Sequence, residues 1–225
     1  MSYLKIFLLT LITFNLTSFC WAKDKSLLSR MQNVQPSIVS VRTVLERTLT
    51  TKSGRQGIAS YERNGAGIII DASGIIVTNT HIIINAPKIL VALSNGKVYE
   101  ATPLYASEAD FSFIKINTGY PLNPIPWADS SKAALGQPII AIGNSEYNNQ
   151  SILGGEITSL LESMSNNTIE MIELNLNLYQ GDSGGPILNQ NGEFLGLIMA
   201  KRTTQDRKSY AIASNKIRQE YLKLH

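Results

Sequence analysis

Cysteine is almost missing from this chain: Cys20 is the only one in 225 residues. One thiol forms no intramolecular disulfide, so stability has to come from a hydrophobic core. Histidine is nearly as scarce, with only His81 and His225. One well-placed histidine and no cysteine after position 20 leave no ligand set for a dedicated zinc site. No metal or other cofactor is expected. Charge is also sparse and balanced, 20 basic against 17 acidic residues, for a formal net charge of +3. Such a balance gives no case for nucleic acid as a partner. Lys201, Arg202, Arg207 and Lys208 form the one basic cluster, which reads as a solvated loop. Long apolar runs are lacking too. The stretch Ile6 to Leu16 falls short of the roughly 20 residues that a membrane span needs.

That stretch has the form of a leader. Lys5 gives a short basic start, Ile6 to Leu16 is mostly apolar, and Cys20 and Ala22 occupy the small positions before a cut after Ala22. Bulky Phe19 argues against lipidation at Cys20. Residues 1–22 are therefore expected to be a signal peptide. Export to the periplasm or the medium would leave residues 23–225, with no cysteine, no stable membrane span and a net charge of about +2.

What is present is a series of short strand signals. Ile68-Ile69-Ile70 and Ile75-Ile76-Val77 flank the turn Asp71-Ala72-Ser73-Gly74. Ile89 to Leu93 and Lys97 to Tyr99 flank Asn95-Gly96, a strong hairpin dipeptide. Ile139 to Ile142, Ser151 to Leu161, Thr168 to Leu174 and Phe194 to Ala200 continue the series. Many short strands with regular turns indicate an all-β sandwich or barrel. Pro121, Pro124 and Pro126 mark Thr118 to Pro126 as a crossover. A short helix over Ser26 to Met31 precedes a first strand at Ile38 to Val41. A C-terminal helix is expected from Ser214 to about Lys223, capped by Ser214, with Ile217, Tyr221 and Leu224 on one face.

The chemistry concentrates in Gly181-Asp182-Ser183-Gly184-Gly185-Pro186. Glycine-rich turns are common, but a serine enclosed by three glycines in this order suits a pocket lined by amides. In such a loop the N–H groups of Gly181 and Ser183 can converge on a developing oxyanion. A nucleophilic hydroxyl needs a neighbouring base. His225 is the last residue of the sequence, so the base is His81, which closes Ile75 to His81 after an apolar run. Asp110 opens the apolar strand Phe111 to Ile116 and suits the carboxylate that would hold the imidazole. Glu108 is a nearby competitor, and Asp71 and Asp129 read as turn acids.

The order His, Asp, Ser with Gly-Asp-Ser-Gly-Gly-Pro resembles the chymotrypsin-like serine proteases, and more closely the protease domain of the HtrA (Deg) group without its PDZ domains. Gly65 to Asp71 with Gly74 to His81 is similar to the histidine block of that group. Asp110 to Ile116 is similar to its aspartate strand, Leu135 to Asn144 to the strand opening its second barrel, and Gly181 to Asn189 with Gly192 and Leu195-Gly196 to its serine block. The similarity runs from about Pro36 to Leu222.

The resemblance implies two six-stranded antiparallel β-barrels with a C-terminal helix, residues 36–120 forming the first and 121–225 the second. It implies a serine endopeptidase acting on polypeptides, unfolded proteins among them. Ser183 would attack the carbonyl, His81 would move the proton, Asp110 would orient His81, and the amides of Gly181 and Ser183 would bind the oxyanion. Motif position sets the base of the substrate pocket near Asn177 and Leu178, with walls from Ala200, Lys201 and Ser209. No acid stands at Asn177, so small or medium apolar residues are the expected preference. A catalytically silent binding or chaperone-like protein on the same fold is the competing reading. Oligomeric state is left open. Departures from the group are Asp182, where asparagine is usual, and a short loop from about Thr48 to Asn64. Asp182 is expected to pair internally, with a lysine, an arginine or loop amides, or to stay exposed.

Overall fold

The computed structural model describes residues 25–50, 53–146, 149–179, 181–199 and 208–224. The expected signal peptide and the expected pocket residues Ala200 and Lys201 lie outside the described residues, as do Arg202, Arg207 and His225. No helix among the described residues is long and apolar enough to cross a membrane.

The described chain forms two closed antiparallel barrels of six strands each. The first contains β1 (Ile38–Thr50), β2 (Gln56–Asp71), β3 (Ile75–Thr78), β4 (Ile89–Ala92), β5 (Val98–Ala106) and β6 (Ser112–Lys115). They close in the order β1-β2-β3-β6-β5-β4. The second contains β7 (Pro138–Glu146), β8 (Asn149–Glu162), β9 (Ile169–Leu174), β10 (Pro186–Leu188), β11 (Phe194–Met199) and β12 (Ser209–Ala213). Their order is β10-β11-β12-β9-β8-β7. Helices are few: α1 (Lys25–Val34), α2 (Thr80–Ile83) and α3 (Ser214–Tyr221).

Local sequence explains most of these elements. In β4 the period-two pattern puts Ile89 and Val91 in the core and turns Leu90 and Ala92 outward. The β2–β3 turn is closed by Ser73, whose amide donates to Asp71 Oδ1 at 2.7 Å. The crossover is stitched to both barrels. Leu122 and Ile125 donate their amides to Ala72 and Ile69 in the first, and Ala128 donates to Phe194 in the second.

Each barrel has its own core. Val41, Ile69, Ile76, Val91 and Ile114 fill the first. Ile139, Ile172, Leu174, Ile187 and Ile198 fill the second. The largest cluster belongs to both, since Ile68, Phe111 and Phe113 pack with Ile140, Phe194 and Leu197. A fully buried side chain of this size is worth about 2 kcal/mol relative to exposure. Helix α3 covers this junction with Ile217, and the Tyr221 ring meets Phe113 edge-on at 6.0 Å.

Several expectations need correction. The stretch from Thr48 to Asn64 is not simply a loop. β1 and β2 run on past the barrel as a two-stranded ribbon, paired from Val44↔Glu62 out to Thr50↔Gln56. Alternating threonine, leucine and valine in β1 sustain that pairing well beyond Val41. The helix expected over Ser26 to Met31 extends to Val34. Ser214 does not cap α3. Its hydroxyl donates to the Ala128 carbonyl at 3.0 Å, and Ala213 takes the cap position. The helix ends at Tyr221, and Leu222–Leu224 tighten into a 3₁₀ turn. β10, β12 and α2 are additional elements.

Candidate active site

Two short connections place the histidine and the carboxylate. β3 ends at Thr78, the extended Asn79 follows, and α2 then carries His81 in a single turn. Asp110 lies in the turn before β6 with φ of 63°, a left-handed conformation that aspartate adopts more readily than most residues. Its backbone is held there. The Asp110 carbonyl accepts from Asn79 Nδ2 at 2.9 Å and from the Thr80 amide at 3.3 Å. Its carboxylate reaches His81 twice: Oδ1 accepts the backbone amide at 2.9 Å, and Oδ2 lies 2.8 Å from ring Nδ1. A proton on Nδ1 directed at Asp110 leaves Nε2 as the free basic nitrogen. The two side chains are 48% and 26% exposed, so the imidazole faces an open surface while the carboxylate lies beneath it. The competing turn acids are engaged elsewhere, Asp71 with Ser73 and Tyr221, Asp129 with Ser131 and Asn215.

Ser183 comes from the second barrel, in the turn just before β10, and is 5% exposed. Its carbonyl accepts from the amide of Ala66 in β2 at 2.8 Å, which docks the serine turn against the first barrel. Gly184 follows at φ of 83°, and any Cβ there would collide with the Ala66 carbonyl and crowd the Thr78 hydroxyl. The serine turn therefore abuts the end of β3, from which the His81 turn departs. Among the described residues no hydrogen bond joins Ser183 Oγ to His81. Such bonds are often loose before a substrate closes the site.

The amides of this turn divide in two. Those of Asp182, Gly184 and Gly185 are spent on Tyr179, Ile198 and Asp182 carbonyls. Those of Gly181 and Ser183 donate to no acceptor among the described residues. Buried amides are rarely left so. Two such donors flanking a serine can receive an oxygen that gains negative charge.

Asp182 is fully buried and turned away from the serine. Oδ1 accepts from the Ser151 hydroxyl at 2.6 Å and Oδ2 from the Tyr179 amide at 2.8 Å. Gly143 lies against it, leaving no room for a Cβ. Of the partners expected from sequence, a loop amide is present, joined by a hydroxyl. Asn144 adds a further tie, its amide reaching the Gly181 carbonyl at 3.3 Å and its side chain the Ser40 hydroxyl at 2.7 Å.

The expected pocket residues are less uniform. Asn177 is exposed, and Leu178 is half-buried against the second core. Ser209 is buried, and its hydroxyl is committed to the Leu176 carbonyl at 2.6 Å. Sequence reasoning missed Asn79, Asn144 and Ser151, which act through backbone carbonyls and cross-strand neighbours that no motif displays.

Residues 65–197 match the family described as the trypsin-like peptidase domain. The chain is 32% identical over 196 residues to the serine protease HTR4 of Rattus norvegicus, covering 84% of this chain and 38% of that protein. It is 30% identical over 216 residues to the periplasmic pH-dependent serine endoprotease DegQ of Escherichia coli, covering 86% and 47%. Against the mitochondrial serine protease HTRA2 of Bos taurus it is 30% identical over 162 residues, covering 69% and 35%. The chain thus spans less than half the length of these relatives.

Proposed function

We infer that this chain, which belongs to the trypsin-like peptidase family and is similar to the HtrA proteases within it, is a serine endopeptidase working through His81, Asp110 and Ser183. One observation carries the reading: the His81–Asp110 pair at 2.8 Å stands beside a serine turn whose Gly181 and Ser183 amides are unspent among the described residues. Ser183 Oγ attacks the carbonyl carbon of a peptide bond while His81 Nε2 takes its proton. The carbonyl oxygen becomes an oxyanion and accepts from the Gly181 and Ser183 amides, each such donor being worth about 3 kcal/mol. The imidazolium, held by Asp110, then protonates the leaving amine. Water then adds to the acyl carbon as it gives a proton to His81, and His81 passes that proton to Ser183 Oγ as the acyl group leaves. Every transfer is made by the chain's own groups.

The substrates are polypeptides, unfolded proteins among them. Leu178 and uncharged Asn177 favour cleavage after small or medium apolar residues. The leader-like residues 1–22 and the periplasmic setting stated for DegQ support export.

The test uses the full chain with denatured casein and a fluorophosphonate probe. The wild type is expected to cleave casein and carry the label on Ser183, with mass-mapped cuts after valine, alanine or leucine. Ser183→Ala and His81→Ala lose both activities while staying folded. Asp110→Asn falls on the order of 10⁴-fold in kcat, because the asparagine amide favours the wrong tautomer. A folded wild type that neither cleaves nor labels refutes the reading in favour of a binding protein. Dominant cuts after lysine, arginine or glutamate refute the pocket assignment alone.

A further inference from the structure

Helix α2 is a single turn, too short to hold its shape by its own hydrogen bonds. Its carbonyls show what holds it. Those of Asn79, Thr80 and Ile83 accept from the amides of Ile82, Ile84 and Ala86. Among the described residues no amide donates to the remaining three, on His81, Ile82 and Ile84, as befits the end of a helix. Arg63 Nη1 donates to the His81 carbonyl at 3.0 Å and to the Ile84 carbonyl at 2.9 Å. Thr43 Oγ1 donates to the Ile82 carbonyl at 2.9 Å. Thr43 and Arg63 are direct cross-strand partners in β1 and β2, at the barrel rim where Thr43 also pairs with Ile89 of β4. One residue pair thus meets every carbonyl the turn leaves over.

We propose that Arg63, with Thr43 opposite it, is a positioning residue for His81. Asp110 grips His81 through its amide and its ring, and Arg63 grips the same residue through its carbonyl. The backbone of His81 is clamped from both sides, so the imidazole has one place to stand. Thr43 is fully buried and fixed by the strand pairing. Arg63 is half-buried, and its guanidinium lies 5.9 Å from the Tyr61 ring centroid. With its single cysteine at position 20, the chain has no disulfide with which to pin this turn to the barrel. The charge-assisted bonds of Arg63 do that work, and such bonds are roughly twice as strong as neutral ones.

This inference rests on the reading of His81 as the proton acceptor, and its test separates the two. The full chain is used without a histidine tag, so that only His81 and His225 contribute imidazole signals. The His81 Nδ1 proton is followed by NMR, and kcat and KM are measured on one peptide. In Arg63→Met, kcat is expected to fall on the order of tenfold to a hundredfold, the scale of a displaced catalytic group, with KM within about twofold. The Nδ1 proton should shift or broaden. Arg63→Lys keeps a charged donor and should recover most of both signals. Arg42→Met, next to Thr43 on β1 but in an exposed ion pair with Glu62 at 4.0 Å, should match the wild type. If Arg63→Met fails to fold, Thr43→Val carries the test with the same expected split. Wild-type kcat with an unshifted Nδ1 proton in the folded variant overturns the proposal, and so does an equal loss in Arg42→Met. If the wild type hydrolyses nothing, the enzymatic reading has failed, and the Nδ1 proton alone decides whether Arg63 positions His81.

Discussion

Asp182 shows what one residue does when it is not part of the chemistry. It adjoins Ser183, yet its carboxylate points away and receives the Ser151 hydroxyl and the Tyr179 amide in a fully buried site. Those bonds fix the backbone that carries the Gly181 and Ser183 amides. Asp182→Ala would take the acceptor from the half-buried Ser151 hydroxyl and from the Tyr179 amide, a loss of roughly 1–3 kcal/mol. Denaturant midpoints should record it, and casein cleavage should drop because the amides lose their fixed direction. Ser151→Ala removes one bond and should cost about half as much. Since both oxygens of Asp182 are met from within, a chain beginning at Lys23 should be active without a second cut. N-terminal sequencing alongside activity checks this, and an inert Lys23 form would defeat it. The motif made Asp182 conspicuous in the sequence, but its partner Ser151 is visible only through the pairing Gly143↔Ser151 of β7 and β8.

At the scale of elements, α3 is the clearest case of local signals giving the existence of a helix but not its attachments. Ile217 and Tyr221 do share a buried face. The far contact, from Tyr221 OH to Asp71 Oδ2 at 2.9 Å, ties the helix to the β2–β3 turn of the other barrel. It spans 150 residues and could not be read from either segment. The pair shapes the pH range of stability. Asp71 is held below its ordinary carboxylate value by hydrogen bonds from Ser73 and then Tyr221. Its contribution is present above the ordinary carboxylate pKa and is lost as pH falls through the lowered one. Tyr221 is pushed up to about 12 by burial and then by Asp71. Its contribution is complete below the ordinary phenol value near 10 and disappears as pH rises through about 12. Tyr221→Phe should therefore flatten the alkaline fall of the thermal midpoint between about pH 10 and 12, and soften the acid arm less. Identical alkaline curves for the two proteins would contradict this. β10 and β12 escaped sequence reading for a different reason. Each is a short strand that pairs with β11 on one side and with a strand distant in the chain on the other, β7 for β10 and β9 for β12.

Across the whole molecule, the largest core cluster belongs to neither barrel alone. Phe111 and Phe113 from one side meet Ile140, Phe194 and Leu197 from the other, under α3. Two barrels sharing such a core should unfold together. A single transition, with calorimetric and van't Hoff enthalpies in agreement, is the expected result. Residues 23–120 expressed alone should fail to reach a cooperative fold. Two separate transitions would show the junction to be weaker than its packing indicates. Turn dipeptides and alternating strands made an all-β chain legible. The His-Asp-Ser order singled out residues that the fold brings to adjoining edges of the two barrels. The closure of each barrel and the docking of Ser183 on Ala66 lay beyond local reading, because both are set by pairings between distant segments.

The division of the site between barrels also imposes a sequence in time. A chain made or threaded from its N-terminus presents His81 and Asp110 first, and Ser183 emerges only when most of the second barrel is out. Until that turn docks on Ala66, the early half holds a base with no nucleophile. On the proposed reading of the site, a chain assembled in this order spares the machinery that makes it until the second barrel closes.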